Sequence, residues 1–111
     1  EEHFARAYAQ DPKAEYLAAR GWALYMDPTR RSEVAQARQM MIEALKVNPE
    51  CDRAHYQLGV IARVENDMVS AERHFREAVR ANPRHLEANQ ELRLIEMRKK
   101  KEQEKKRGFF K

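Results

Sequence analysis

Several residue types on which other protein classes depend are scarce in this chain. Its 111 residues include three glycines, four prolines and one cysteine. So little glycine and proline fits a helix-rich protein better than a strand-rich or disordered one. The single cysteine, Cys51, cannot form a disulfide within the chain. The fold therefore does not depend on an oxidising compartment, and a reducing cytoplasm is the expected location.

Long apolar runs are missing as well. No run approaches the roughly 20 apolar residues that a membrane-spanning helix needs. The first residues, Glu1-Glu2-His3-Phe4, are acidic and lack the apolar stretch of a secretory signal, and no methionine precedes them. The length suits a single domain. We expect this domain to come from the C-terminal part of a larger, bacterial, cytoplasmic protein.

Residue patterns typical of metal and catalytic sites are also lacking in the sequence. No two of the four histidines stand at the i, i+4 spacing that places two ligands on one helix face. The chain has no glycine-rich phosphate loop, and no Ser-His-Asp or Cys-His arrangement can be argued from it. We predict no metal, no cofactor and no enzymatic activity. We interpret Cys51 as a small residue in an accessible turn or at a helix start, with a reactive thiol as the alternative.

Charged residues are abundant, and their distribution along the chain is uneven. They make up 36% of the sequence, and the net charge is +4. Residues 98–111 carry a net charge of +6, which leaves −2 for residues 1–97. The basic residues of this tail are Arg98, Lys99, Lys100, Lys101, Lys105, Lys106, Arg107 and Lys111. The body of the protein is therefore close to neutral, and the basic character lies at one end.

A short pattern recurs three times along the chain. It consists of a large apolar residue, an alanine three residues later and a proline five residues after that alanine. The copies are Phe4, Ala7 and Pro12; Met41, Ala44 and Pro49; and Phe75, Ala78 and Pro83. The large residue and the alanine fall on one helical face, while proline ends one helix and starts the next. The chain therefore reads as helix, turn, helix, turn, five or six times.

The helix that precedes each pattern is clearest at residues 54–62. Gly59 lies in its middle, where glycine costs roughly 1 kcal/mol relative to alanine. We expect a close helix crossing at Gly59, because such a crossing would explain that cost. Residues 65–67 supply the following turn. The prolines at 49 and 83 are 34 residues apart, whereas those at 12 and 49 are 37 apart because residues 26–32 form a longer turn.

These residues resemble the tetratricopeptide repeat pattern at its period of 34 residues. The match rests on Leu58, Gly59, Ala62, Ala71, Phe75, Ala78 and Pro83. The resemblance implies an all-α fold, a short right-handed superhelical array of antiparallel helix pairs with a C-terminal capping helix. It divides the chain into the second helix of a truncated upstream repeat (1–12), a variant repeat (13–49), a regular repeat (50–83), a capping helix (84–97) and a basic tail (98–111).

The resemblance also implies a function. Arrays of this family bind a partner protein or peptide on a concave face lined by the first helix of each pair. Carried over by repeat register, the partner-binding residues are Trp22, Tyr25, Arg53, Tyr56, Gln57, Val60, Arg63 and Leu94, with Met26, Val64 and Met97 nearby. For Trp22 and Tyr25, plain packing is an equally good interpretation.

Some family members hold the C-terminal carboxylate of a chaperone with basic and amide side chains in this groove. The corresponding positions here are Glu15, Ala19, Gln57, Glu87 and Glu91. Three carboxylates would repel a carboxylate ligand, so we predict that the partner is not a chaperone C-terminus.

Two other interpretations stay open. The basic tail is expected to continue the last helix as far as Gly108, either as a solvating cap or as a contact for nucleic acid or an anionic membrane. Self-association at the truncated N-terminal end, through Phe4, Ala7 and Tyr8, is the third interpretation.

Overall fold

The computed structural model describes residues 11–109, and helices occupy most of that range. In chain order the elements are α1 (Pro12–Met26), a short 3₁₀ segment (Pro28–Glu33), α2 (Val34–Val47), α3 (Asp52–Val64), α4 (Met68–Ala81) and α5 (Leu86–Phe109). No strand occurs in this range. The prediction of an all-α array is confirmed. The upstream helix and the self-association residues at positions 4, 7 and 8 lie outside the described residues.

Aspartate side chains cap the starts of α1, the 3₁₀ segment and α4. Asp11 accepts a hydrogen bond from the backbone N–H of Lys13 at 2.9 Å, ahead of α1. Asp67 accepts one from the N–H of Ser70 at 3.1 Å, ahead of α4. Each bond satisfies a backbone donor that has no partner inside its helix. Proline stands at the first position of both α1 and the 3₁₀ segment, where its missing N–H costs nothing.

The predicted turn at residues 65–67 is present and has a defined geometry. Asn66 adopts a left-handed conformation with φ of 65°. The N–H of Asp67 donates to the carbonyl of Ala62 at 2.8 Å, and the N–H of Asn66 donates to that of Arg63 at 3.0 Å. This pair of bonds is the Schellman motif, which ends a helix with a left-handed residue, and asparagine tolerates that conformation better than most residues.

Helices pack as antiparallel pairs, α1 with α2 and α3 with α4, and α5 packs against α4. The predicted contact faces on α2 and α4 are confirmed, because the alanine, methionine and phenylalanine residues assigned to these two helices are fully buried. Those residues are Ala37, Met41 and Ala44 on α2, and Ala71, Phe75 and Ala78 on α4. On α5, Ala88 and Ile95 are buried and complete the core at that end. The division of the chain into units at 13–49 and 50–83 stays a prediction.

The predicted close crossing at Gly59 is present. A Cβ atom added to Gly59 would lie 2.6 Å from a ring carbon of Phe75 on α4. Gly21 is its counterpart in the first pair, where an added Cβ would lie 3.0 Å from the backbone oxygen of Ala37. The carbon–carbon distance at Gly59 is far shorter than a normal contact of about 3.5–4.0 Å. At Gly21 the nearest carbon, Met40 Cβ, would lie at 3.2 Å, which is also tighter than normal. The two glycines therefore let the helices of each pair approach closely.

The last helix is a single rod of 24 residues, so the capping helix and the basic tail form one element. At about 1.5 Å per residue, it is roughly 36 Å long. Helical continuation of residues 98–107 is confirmed. The prediction that Gly108 ends the helix is wrong, because α5 includes Gly108 and runs to Phe109. Side chains of residues 98–108 are all exposed.

Cys51 corrects another prediction. The expected position at a helix start is confirmed, because Cys51 lies directly before α3, whereas the expected accessibility is wrong, because its side chain is 1% exposed. Its Sγ donates to Glu15 Oε2 at 3.2 Å, and burial raises the pKa of the thiol to about 12. Since the thiolate is the reactive form, this environment works against a reactive cysteine. Cys51 packs with the core between α1, α2 and α3.

Candidate functional site

An open groove of about 560 Å³ runs across α1, α3 and the start of α5. We refer to it as the first-helix groove. Its lining residues are Glu15, Trp22, Asp52, Arg53, Tyr56, Gln57, Asn82, Arg84, His85, Leu86 and Glu87. Most of them come from helices that open a pair in the repeat register. The groove therefore lies on the face that the resemblance assigned to partner binding.

A row of aromatic rings forms one wall of this groove. The Trp22 and Tyr56 ring centroids are 6.5 Å apart, and those of Tyr56 and His85 are 5.0 Å apart. Tyr25 continues the row at 5.5 Å from Trp22. On its inner side Tyr56 contacts Phe75 of the core, with ring centroids 5.9 Å apart. These separations are typical of favourable aromatic pairs. The row is thus held in place by the core beneath it.

Trp22 and Tyr25 pack against the core and also keep some accessible surface. Each side chain is half-buried and packs against the core cluster between α1, α2 and α3. The packing interpretation is therefore confirmed for both residues, while a part of each ring stays accessible. Whether that part contacts a partner is a prediction.

Ion pairs hold charged side chains in place in the groove and beside it. Arg53 Nε lies 3.3 Å from Glu15 Oε1, joining α3 to α1. Arg63 lies 3.3 Å from Glu91 Oε2, joining α3 to α5. Burial raises the pKa of the Tyr56 hydroxyl, and Glu91 and Glu87 raise it further. Arg63 lowers the pKa of this hydroxyl, but less strongly than either glutamate raises it.

The starts of α3 and α5 meet at His85. Its Nδ1 accepts the backbone N–H of Ala88 at 3.1 Å and so caps α5. Its Nε2 faces Asp52 Oδ2 at 4.0 Å, and the same carboxylate oxygen accepts the amide N–H of Asn82 at 2.9 Å. Sequence reasoning did not place His85, Asp52 or Asn82 in the site. The available signal was their position beside the Pro49 and Pro83 turns, which the fold brings together.

Two predicted contact residues are largely inaccessible. Gln57 is 3% exposed and Val60 is 8% exposed. Their placement on an accessible surface is wrong, because α3 is the central first helix and is covered from both sides. Val60 belongs to the core cluster that contains Phe75 and Ile95. Gln57 lines the bottom of the first-helix groove, and its Oε1 has no hydrogen-bond partner in the described part of the protein.

Exposed apolar side chains occur farther along the same helices. Met26, Val64, Leu94 and Met97 are between about half and two-thirds exposed. Met26 and Val64 occupy equivalent positions, each five residues after the glycine of its helix. We refer to these four residues as the apolar patch. Exposed apolar side chains of this size are typical of protein interaction surfaces when they cluster.

Metal ligation finds no support in residues 11–109. They contain no group of three or more His, Cys, Asp or Glu side chains arranged to hold a metal ion. The rings of His55 and His74 lie 6.3 Å apart between α3 and α4, outside the groove. Across the same range, no helix has the length and apolar character needed to cross a membrane.

A family profile described as tetratricopeptide repeat matches residues 30–88, more than half of the chain. The chain therefore belongs to the tetratricopeptide repeat family. Repeats of this family form a non-catalytic scaffold and generally mediate interactions between proteins. No curated protein and no solved structure matches the chain at a significant level.

Proposed function

We propose that this protein is a scaffold module that binds a partner protein or peptide on the concave face formed by its first helices. The observation that carries the proposal is the aromatic row, in which Trp22, Tyr56 and His85 line an open groove on that face and Tyr25 packs beside Trp22. Aromatic residues and arginine are enriched in the energetically important centres of protein interfaces. The proposed contact residues are Trp22, Tyr25, Arg53, Tyr56, Arg63 and Leu94.

The apolar patch extends the proposed surface beyond the groove. A partner segment that follows the groove from Glu15 towards the ends of the first helices would reach Val64, Leu94 and Met97 next. Burying such side chains against a partner contributes roughly 25 cal/mol per Å² of apolar area. A partner should therefore combine polar groups over the groove with apolar groups over the patch.

A matched pair of valines tests the location of the surface. Val64 is 61% exposed and belongs to the apolar patch, while Val69 is 84% exposed and lies on the second helix α4. We expect Val64→Ser combined with Leu94→Ser to reduce capture of a partner from a lysate, and Val69→Ser to leave it unchanged. Thermal melts of each variant would check folding. Equal capture by all variants would place the binding site elsewhere.

A second test uses the double variant Tyr56→Ala with Arg63→Ala. Tyr56 also contacts Phe75, so this variant loses some stability as well as groove surface. The control is Val79→Ala, which shortens a half-buried side chain on α4. If the double variant retains the partners that the wild type captures, the concave face is not the binding site.

The basic tail supports a second candidate function, contact with nucleic acid or an anionic membrane. Lys99 lies 2.6 Å from Glu72 of α4, whereas no ion pair within the described part of the chain engages the basic residues beyond it. A cluster of exposed lysines and arginines attracts anionic surfaces. Replacing Lys100, Lys101, Lys105 and Lys106 by glutamine preserves a good helix former and should reduce sedimentation with phosphatidylserine vesicles or retention of RNA on a filter. Unchanged binding would eliminate this candidate.

We also expect a cytoplasmic location in a bacterial cell. The buried free thiol of Cys51 fits a reducing compartment, because no disulfide is needed for the fold. Fractionation of cells that produce the full-length protein would test it.

A further inference from the structure

The last helix, α5, carries positive charge that neighbouring carboxylates leave free. Apart from Lys99, which pairs with Glu72, its lysines and arginines form no ion pair with residues 11–109. Successive residues of a helix are turned by about 100° around its axis. On this basis most of these cations lie within about 80° of Met97, on the side opposite to the buried Ile95. They are Arg93, Lys100, Lys101, Lys105 and Arg107.

Exposed apolar side chains lie on the same side of α5. Leu94 is 52% exposed and Met97 is 61% exposed, and they stand three residues apart. Between residues 93 and 107, Glu104 is the one carboxylate in the same sector of the helix. We refer to Leu94, Met97 and these cations together as the outer face of α5. It combines apolar area with an excess of positive charge.

The outer face of α5 is an open surface rather than a cleft. A shallow depression of about 470 Å³ lies over it, and the residues that line this depression, among them Leu94, Met97 and Lys101, all belong to α5. No second element of the described part of the chain supplies a wall, so a single partner side chain would not be enclosed here. A broad surface could instead lie against the helix along its length.

Three kinds of anionic partner differ in how they would use this face. Phosphates of a nucleic acid would pair with the cations but would offer nothing apolar to Leu94 and Met97. Protein interfaces are depleted in lysine, and Lys100, Lys101 and Lys105 supply most of the charge here. An anionic membrane takes up apolar side chains at the boundary of headgroups and acyl chains, and it attracts lysine and arginine beside them. It is the partner that uses both features of the face.

We propose that the outer face of α5 binds the surface of an anionic membrane, with the helix lying in the plane of the headgroups. Leu94 and Met97 would enter the boundary between headgroups and acyl chains, and the cations beside them would contact anionic headgroups. This inference rests on the second candidate function, contact of the basic tail with an anionic surface. It selects lipid over nucleic acid and adds residues that precede the tail, namely Arg93, Leu94 and Met97.

Sedimentation with vesicles of phosphatidylcholine and phosphatidylserine, compared with vesicles of phosphatidylcholine alone, measures the binding. We expect binding only to the vesicles that contain phosphatidylserine. Lys101→Gln should weaken it about fivefold, whereas Lys106→Gln, which removes the same charge on the opposite side of α5, should weaken it less than about twofold. Met97→Ser should weaken it about threefold, while Val69→Ser, which changes an exposed valine on α4, should leave it unchanged. Thermal melts would check that each variant is folded.

A fluorophore that responds to apolar surroundings would report the orientation of the helix. It can be attached to Met97→Cys and, in a separate variant, to Lys106→Cys, because Cys51 is 1% exposed and competes little for the label. We expect phosphatidylserine vesicles to shift the emission of the Met97→Cys label to the blue and that of the Lys106→Cys label much less. RNA should not shift the Met97→Cys label to the blue.

The outcomes separate this inference from the candidate function on which it rests. Equal losses for Lys101→Gln and Lys106→Gln, or no blue shift at residue 97, would overturn the oriented contact, while sedimentation with vesicles would still support the second candidate. Retention of RNA without sedimentation with vesicles would overturn the inference in favour of nucleic acid. Binding to neither would overturn both the inference and the second candidate. The capture experiment with Val64→Ser decides concave-face binding independently.

Discussion

The contact between Gly59 and Phe75 allows a quantitative prediction for Gly59→Ala. In a helix interior, alanine is about 1 kcal/mol more favourable than glycine, so local propensity alone predicts a more stable protein. The structure opposes this gain, because the new Cβ would lie 2.6 and 2.7 Å from two carbons of the Phe75 ring. One of the two effects must dominate, and burial decides which.

Phe75 is fully buried and packs with Ala71 and Ile95, so its ring cannot swing into solvent. To restore a normal carbon contact, the ring or the helix must move by roughly 1 Å. Insertion of a carbon into a well-packed core typically costs about 1–3 kcal/mol. With so short a contact we expect the upper part of that range, which leaves a net destabilisation of about 1–2 kcal/mol after the propensity gain.

Urea denaturation followed by circular dichroism would measure the free energy of unfolding of Gly59→Ala. A loss of this size also lowers Tm by about 5–10 °C for a domain of this length. Gly108→Ala is the matched control, because an added Cβ there meets nothing within 4 Å. That variant should be as stable as the wild type or slightly more stable.

The double variant Gly59→Ala with Phe75→Leu tests the assigned contact. If the ring is the cause, the combined loss should be smaller than the sum of the single losses by about 1 kcal/mol. Strict additivity, or a Gly59→Ala protein more stable than the wild type, would refute the reasoning. In that case the glycine would not mark a close crossing.

Three further predictions concern single residues. Asn66→Ala should lose about 1 kcal/mol, because alanine is strained at a φ of 65°, whereas Asn66→Gly should lose nothing in the same urea titration; equal losses would argue against the left-handed turn. Cys51 should react with a thiol reagent at about pH 8 only as fast as the protein unfolds, because burial raises its pKa to about 12, and rapid labelling without urea would contradict its burial. Partial burial, aided by Arg73 and His55, lowers the pKa of His74, so the native state binds fewer protons at this ring than the unfolded state as the pH falls through the ordinary histidine range. Stability should therefore decrease between about pH 7.5 and about pH 5.5, and His74→Gln should reduce that decrease; an unchanged slope in urea titrations at the two pH values would show that His74 is not its source.

Much of the fold could be predicted from the sequence, because residues close together in the chain define the contact face of each helix. The i, i+4, i+7 spacing of Ala71, Phe75 and Ala78 defines a contact face within one helix, whatever packs on it. Gly59 indicated a crossing because no other residue type tolerates one so close. The same local reasoning was wrong for Gly108, because a glycine near a helix end without packed neighbours can remain helical.

The groove was less predictable, because its geometry depends on how successive pairs of helices stack. The burial of Gln57 and Val60 follows from contacts on both sides of α3, and no spacing within α3 reveals them. His85 and Asp52 are 33 residues apart in the sequence and meet only because α5 starts beside α3. A repeat register identifies equivalent positions, but it does not state which of them a neighbouring repeat covers.

The root of the basic tail shows where packing ends and exposed charge begins. Glu72 on α4 bonds to both Lys99 and Arg76, at 2.6 and 2.7 Å, and these bonds lower its pKa. Its side chain is 18% exposed, so the pair with Lys99 is partly shielded from solvent and fixes α5 against α4 at that point. Lys99 is therefore tied to α4 through Glu72, although its own side chain is 53% exposed and its sequence context is that of the tail. The proposed contact of the tail with nucleic acid or a membrane would therefore begin at Lys100. A deletion that starts at residue 98 would remove the Lys99–Glu72 ion pair together with this contact, so the two effects could not be separated.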